Sequence, residues 1–150
     1  MLGVVYDPVA DEMFAAERGA GSFLNGERLP IREHVPSLRN AMAEVDFKRL
    51  SRPLAQALAA SPPYSSQRNF GASTLEWCYV AAGRFDVYLH GGQKLWDYAA
   101  GSLILEEAQG MMCTLDSDDF WRDEGWKRSV VAARTPELFD EWVRWVRARM

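Results

Sequence analysis

The chain opens with short apolar runs broken by turn residues. GVVYDP is β-branched, VADE is a polar turn, EMFAAER is a second apolar run, and GAGSFLNGERLPI supplies a Gly-rich turn, a short run and the hairpin dipeptide Asn25-Gly26. The pattern predicts an antiparallel meander with almost no room for a helix. A polar, proline-containing stretch at residues 31–40 separates it from AMAEVDF, a predicted strand in a different layer. The boundary falls there, giving hairpins over 1–33 and an α/β domain over 34–150.

Beyond residue 40 strand and helix patterns alternate. SRPLAQALAA reads as a helix with Ser51 as cap and Pro53 in its first turn. SSQRNF is a strand, ASTLEWCYVAAG a helix closed by Gly83, and RFDVYLH a strand. WDYAAGSLILEEAQG follows as a helix ending at Gly110, then MMCTL and RSVVAA as strands. TPELFDEWVRWVRARM closes the series as an amphipathic helix capped by Thr135, with Leu138, Trp142 and Trp145 as its apolar stripe. Such alternation indicates a layered α/β fold, but the hairpins have no helix before them and a meander of that size cannot stand alone.

Composition narrows the function classes. The 150 residues suffice for one core, and hydrophobic and charged fractions of 48% and 25% are those of a globular domain. A net charge of −4 without a basic, aromatic-spiked stretch argues against nucleic acid and anionic membranes as partners. No apolar run reaches the roughly 18 residues of a membrane span. The start MLGVVYDP lacks a basic leader pattern, so a cytoplasmic protein is expected. Cys78 and Cys113 lie in apolar runs without metal spacing and read as buried thiols. The acidic loop DSDDFWRDEG, residues 116–125, reads as a solvated excursion.

The sharpest chemical candidate is Asp97. A carboxylate in the first turn of a helix sits among unpaired N–H groups at the positive end of the dipole. There it either caps the helix or holds a divalent cation beside a bound phosphate. Its neighbours form W-D-x-A-A-G, in which Ala99, Ala100 and Gly101 permit close backbone approach and Trp96 anchors the turn.

The run Trp96 to Gly110 resembles the second signature of the inositol monophosphatase family of magnesium-dependent sugar phosphatases, W-D-x-A-A-G-x-x-I-x-x-E-A-G-G. GVVYDPVADEMFAAERGAGSFLNGERL and RNFGASTLEWCYVAAGRFDVYL are similar to further family stretches in the same order. The resemblance implies the C-terminal part of the family's layered αβαβα fold, a mixed sheet flanked by helices and preceded by antiparallel hairpins. It also implies Mg2+ as cofactor, Asp97 as a metal ligand, and hydrolysis of a sugar or polyol phosphomonoester by a metal-activated water.

Two upstream motifs of the family, a G-E-E-type glutamate and D-P-x-D-G-T, have no counterpart here. Asp7 in YDPVADE lacks the following Asp-Gly-Thr and reads as turn chemistry. By the same resemblance Gly71, Ala72 and Ser73 form a helix-opening turn that approaches substrate, and His90 stands where the family often has an acidic residue for sugar hydroxyls. A structural His90 at a strand end is the alternative. Lys94 is either a point charge for phosphate or a plain surface lysine, and Gln109 replaces the first glycine of the family's helix ending.

The expectation is therefore one side of a phosphomonoesterase site, inactive alone, with a homodimer or a complementary N-terminal half as partner. A non-catalytic remnant serving as a binding or dimerisation module is the alternative.

Overall fold

A computed structural model describes residues 1–30, 34–122 and 125–150. The expected boundary between residues 33 and 34 adjoins positions outside the described residues.

Four antiparallel strands form the first sheet: β1 (Leu2–Asp7), β2 (Glu12–Glu17), β3 (Gly21–Leu24) and β4 (Glu27–Arg28), in the order β1-β2-β3-β4. Asn25 and Gly26 make the β3–β4 turn with φ of 49° and 86°, the left-handed pair that a two-residue hairpin needs. The Asp7 carboxylate accepts the backbone N–H groups of Val9 and Ala10 at 2.9 and 3.2 Å, so it is the turn residue expected.

The second sheet has five strands in the order β6-β5-β7-β9-β8. Strand β5 (Met42–Asp46) runs parallel to β6 (Ser66–Arg68) and β7 (Val87–Lys94), whereas β9 (Lys127–Ala133) is antiparallel to β7 and to β8 (Met111–Cys113). Helices α1 (Arg52–Ala60), α2 (Ser73–Ala81), α3 (Leu95–Glu107) and α4 (Pro136–Arg147) complete the fold. Ser51 and Thr135 cap α1 and α4 from their side chains, as expected.

Strand periodicity sorts the core into two layers. Tyr88, Val130 and Ala132 face α2, α3 and the inner face of the first sheet, which contributes Val5, Phe14, Ala16 and Leu24. Val87, Leu89, Val131 and Ala133 face α1 and α4 on the opposite side, where Leu138, Trp142 and Val146 are buried one helical turn apart. The order is thus sheet, helices, sheet, helices. The hairpins share their core with α2 and α3, and polar ties reinforce the seam: Arg84 pairs with Glu12, and Glu107 accepts the N–H groups of Gly19 and Gly21 at 2.9 and 3.0 Å.

The small residues after Asp97 are packing devices. A Cβ on Gly101 would lie 2.5 Å from the Trp77 Cβ, and one on Gly3 would lie 3.1 Å from the Ala100 carbonyl oxygen. Helix α3 therefore touches α2 and β1 nearly backbone to backbone. Its C-terminal turn places Gln109 at φ 69°, so a side-chain-bearing residue occupies the left-handed position that glycine usually fills.

Three expectations shift. The strand read at 84–90 begins at Val87, because Arg84 N–H closes α2 on the Tyr79 carbonyl at 2.8 Å. It then runs on to Lys94, because Gln93 and Lys94 still pair with β9 beyond an irregularity after His90. The loop at 116–125 is pinned rather than solvated: Phe120 is buried against Trp77 and Tyr98, and Arg128 stacks on Tyr98, Phe120 and Trp121. Positions 123 and 124 of that loop lie outside the described residues.

Candidate functional site

Strands β5 and β7 are parallel, so their carboxyl ends open on one edge of the second sheet, and α3 starts directly from β7 there. The edge carries Asp46, His90, Lys94 and Asp97, and the turn before α2 lies beside it through its contacts with Glu44 and Glu76.

Asp97 is the third residue of α3 and is half-buried. Its Oδ2 accepts the backbone N–H of Lys94 at 2.8 Å, which satisfies one of the helix's orphan donors. Its Oδ1 carries no hydrogen bond among the described residues. One oxygen therefore fixes the side chain and the other is available.

Gly71 holds φ at 71°, a left-handed backbone suited to glycine, and hands the chain to Ala72, the N-cap of α2. Ala72 has no capping side chain, and Ser73 is the first helical residue. The turn is held from outside. Phe70 N–H donates to Glu44 Oε1 at 3.1 Å, and Gly71 N–H donates to Glu76 Oε1 at 2.9 Å. Arg68 bonds locally to Ser66 and Gln67.

His90 is 6% exposed and has both ring nitrogens engaged. Nδ1 accepts the Gly92 N–H at 3.0 Å, and Nε2 faces Asp46 Oδ2 at 3.5 Å. That pattern places the proton of the neutral ring on Nε2, an assignment made from the hydrogen-bond network. Burial lowers its pKa, against the opposing fields of Asp46, Glu76 and Asp97; Arg49 adds to the lowering. A Cβ on Gly91 would fall 2.0 Å from the Arg49 carbonyl oxygen, so glycine there lets the segment before α1 pass.

Lys94 is exposed and is the N-cap residue of α3. Trp96 does not anchor the turn by burial as expected. It is 65% exposed and meets the equally open Trp126 with ring centroids 6.4 Å apart. On the other side of Gly91 and Gly92 lies a cavity of about 510 Å³, lined by Asp116, Lys127, Arg128 and neighbours, that reaches neither Asp97 nor Gly71.

The fit to a magnesium ion is partial. A free carboxylate oxygen is the donor such a hard cation takes, but it needs about six oxygens. Among the described residues no group of three or more His, Cys, Asp or Glu could hold a metal ion. The free oxygen of Asp97 could serve as one such donor, and the described residues do not bring a full set to it.

Sequence reading missed Glu44, Asp46, Glu76, Tyr88 and Gln93, which together back the turn and His90. The signal was present: Glu44 and Asp46 sit two apart in an expected strand, and Glu76 interrupts an apolar helix. Charges in such places require partners.

The family model described as "Inositol monophosphatase family" matches residues 1–148. The Nus factor SuhB of Haemophilus influenzae is 34% identical over 137 residues, which are 88% of this chain and 50% of that protein. The inositol-1-monophosphatase of Mesorhizobium japonicum shows the same identity and coverage. The solved extragenic suppressor protein suhB of Bartonella henselae superimposes with a TM-score of 0.83 at 28% identity, covering 100% of this chain and 58% of that one. The chain spans about half the length of the curated relatives it matches. The family model spans nearly the whole chain, and the chain belongs to the inositol monophosphatase family.

Proposed function

We propose that the chain supplies one side of a metal-dependent phosphomonoesterase site and is inactive alone. The observation that carries the reading is the Asp97 carboxylate, locked by Lys94 N–H through one oxygen with the other free, at the start of a helix in a family of phosphatases. Asp97 would hold Mg2+. When bound, such an ion neutralises phosphate charge and acidifies a coordinated water.

The chain's own residues do the remaining work on this side. In the Gly71-Ala72-Ser73 turn the Gly71 N–H is held by Glu76, and the uncapped N–H groups of Ala72 and Ser73 face polar or anionic groups of a substrate. Lys94 adds positive charge near the phosphate. His90, neutral and held between Gly92 and Asp46, shapes the floor between them and limits which polyol hydroxyls are accommodated. The substrate class is a small phosphorylated sugar or polyol, and the remaining metal ligands come from a complementary N-terminal half.

Strand β1 supports that partner. It is an edge strand whose outward residues Leu2, Val4 and Tyr6 are exposed, and Met13 of β2 lies opposite Tyr6 on the same face. An unpaired edge beside an apolar face is a surface that calls for cover.

The test joins this chain to the upstream half of a full-length relative and measures magnesium-dependent phosphate release. Activity abolished by Asp97→Asn, with the fold intact, supports the reading; activity and magnesium dependence unchanged by that substitution reject it.

A second reading has a specific observation behind it. Several relatives are named Nus factors rather than phosphatases, and a chain with one metal ligand could serve as a binding or dimerisation module. A joined protein that folds but releases no phosphate from any phosphomonoester would favour it.

A further inference from the structure

Glu44 on β5 and Glu76 on α2 are 1% and 2% exposed. One turn brings their carboxyls together, and the charge of Glu76 acts on Glu44. Each also receives one of two consecutive backbone N–H groups, Phe70 to Glu44 Oε1 and Gly71 to Glu76 Oε1. Glu76 Oε2 accepts the Tyr88 hydroxyl at 2.7 Å. Tyr88 in turn accepts from Gln93 Nε2, and Gln93 Oε1 accepts Trp77 Nε1–H at 2.9 Å. Every polar atom in this buried chain has a partner except Glu44 Oε2, which is sealed from solvent.

Two ionised carboxylates cannot satisfy one another, because neither carries a donor. A proton on Glu44 Oε2 supplies the missing donor and removes one of two adjacent buried charges. We propose that Glu44 and Glu76 share a single proton and together clamp the Phe70–Gly71 turn, positioning the backbone that opens α2. The protonated Glu44 donates to Glu76, and its other oxygen still accepts Phe70 N–H. Loss of the proton to solvent water leaves two facing carboxylates, whose repulsion is relieved by release of the turn.

The surrounding charges do not supply a substitute. Asp46 on β5 and Tyr88 and His90 on β7 face the pair, and none is a cation: His90 is held neutral by burial. Arg68, beside Glu44 in the β5–β6 register, turns its guanidinium to Ser66 and Gln67. Burial, and then the charge of Glu76, push Glu44 up to about 7, near physiological pH. The clamp acts whatever the turn binds; its bearing on substrate rests on the function proposed above.

The test needs no substrate, so it fails independently of that reading. Carboxyl carbons of 13C-labelled glutamate are followed by NMR against pH, together with hydrogen exchange at the Phe70 and Gly71 amides. The expected result is one glutamate titrating near neutrality and turn protection that falls about tenfold or more between about pH 6 and 8, after correction for intrinsic exchange. Glu44→Gln keeps an acceptor for Phe70 and a permanent donor for Glu76, so it holds the turn with protection that no longer depends on pH. All glutamates titrating in the ordinary carboxylate range would overturn the proposal, as would a turn in Glu44→Gln as pH-sensitive as the original. The wild-type titration decides alone if the variant does not fold.

Discussion

Asp97 closes its own helix: its Oδ2 accepts Lys94 N–H at 2.8 Å from the first turn of α3. The proposed metal role is compatible with capping, because a metal would take the oxygen that the cap leaves free. A carboxylate whose rotamer is fixed by one oxygen presents the other in a fixed direction, which is what a metal ligand requires.

Substitutions at Asp97 separate the two roles. Asp97→Asn keeps an acceptor for Lys94 N–H and is expected to change unfolding free energy by less than about 0.5 kcal/mol. Asp97→Ala loses the cap and costs about 1 kcal/mol. Urea denaturation measures both. Both should equally abolish Mn2+-induced broadening of the amide signals of residues 94–98. Broadening that persists there in Asp97→Asn would remove the ligand role.

Gly101 is set by Trp77. Alanine normally gains about 1 kcal/mol over glycine inside a helix, yet its Cβ would stand 2.5 Å from the Trp77 Cβ. Overpacking of this kind costs about 1–3 kcal/mol, so Gly101→Ala should lower stability on balance. A stabilised variant in urea would show that α2 and α3 are not so closely apposed.

His90 should titrate below its ordinary value. Burial lowers its pKa in the fold, so the unfolded chain binds the proton first as pH falls. Its contribution to stability is present above the unfolded value of about 6.5 and is lost on descending through the lower folded value. Imidazole NMR should show the Nε2–H tautomer at neutral pH, with a midpoint below that of unfolded histidine. A raised midpoint would mean that the Asp46 carboxylate outweighs burial.

The open face of the first sheet should drive association. Val4 and Tyr6 lie exposed on edge strand β1, so the chain alone is expected to self-associate with rising concentration. Val4→Lys places a charge on that face and should shift sedimentation toward monomer without loss of fold. It should also weaken capture of the upstream half. Unchanged sedimentation would place the association elsewhere.

The regular elements were legible because their signals are local. Ser51 and Thr135 sit where caps belong, Asn25-Gly26 forms its hairpin, and Leu138 and Trp142 of the expected stripe are buried while Trp145 is only partly so. The helix that carries Asp97 was legible through its signature. The support behind the site was not, because Glu44, Glu76 and His90 are far apart in sequence and are joined only when β5, α2 and β7 come together. Trp96 misled for a similar reason: no local pattern distinguishes an aromatic that plugs a turn from one left open beside Trp126.

Magnesium-dependent phosphate release tests the central claim most directly, measured on inositol, fructose, glycerol and nucleotide monophosphates by this chain alone and by the chain joined to a relative's upstream half. The account expects silence from the folded chain alone, and activity in the joined protein that Asp97→Asn abolishes. Turnover by the chain alone, lost in Asp97→Asn, would mean that it completes the metal site by itself and would contradict the half-site account.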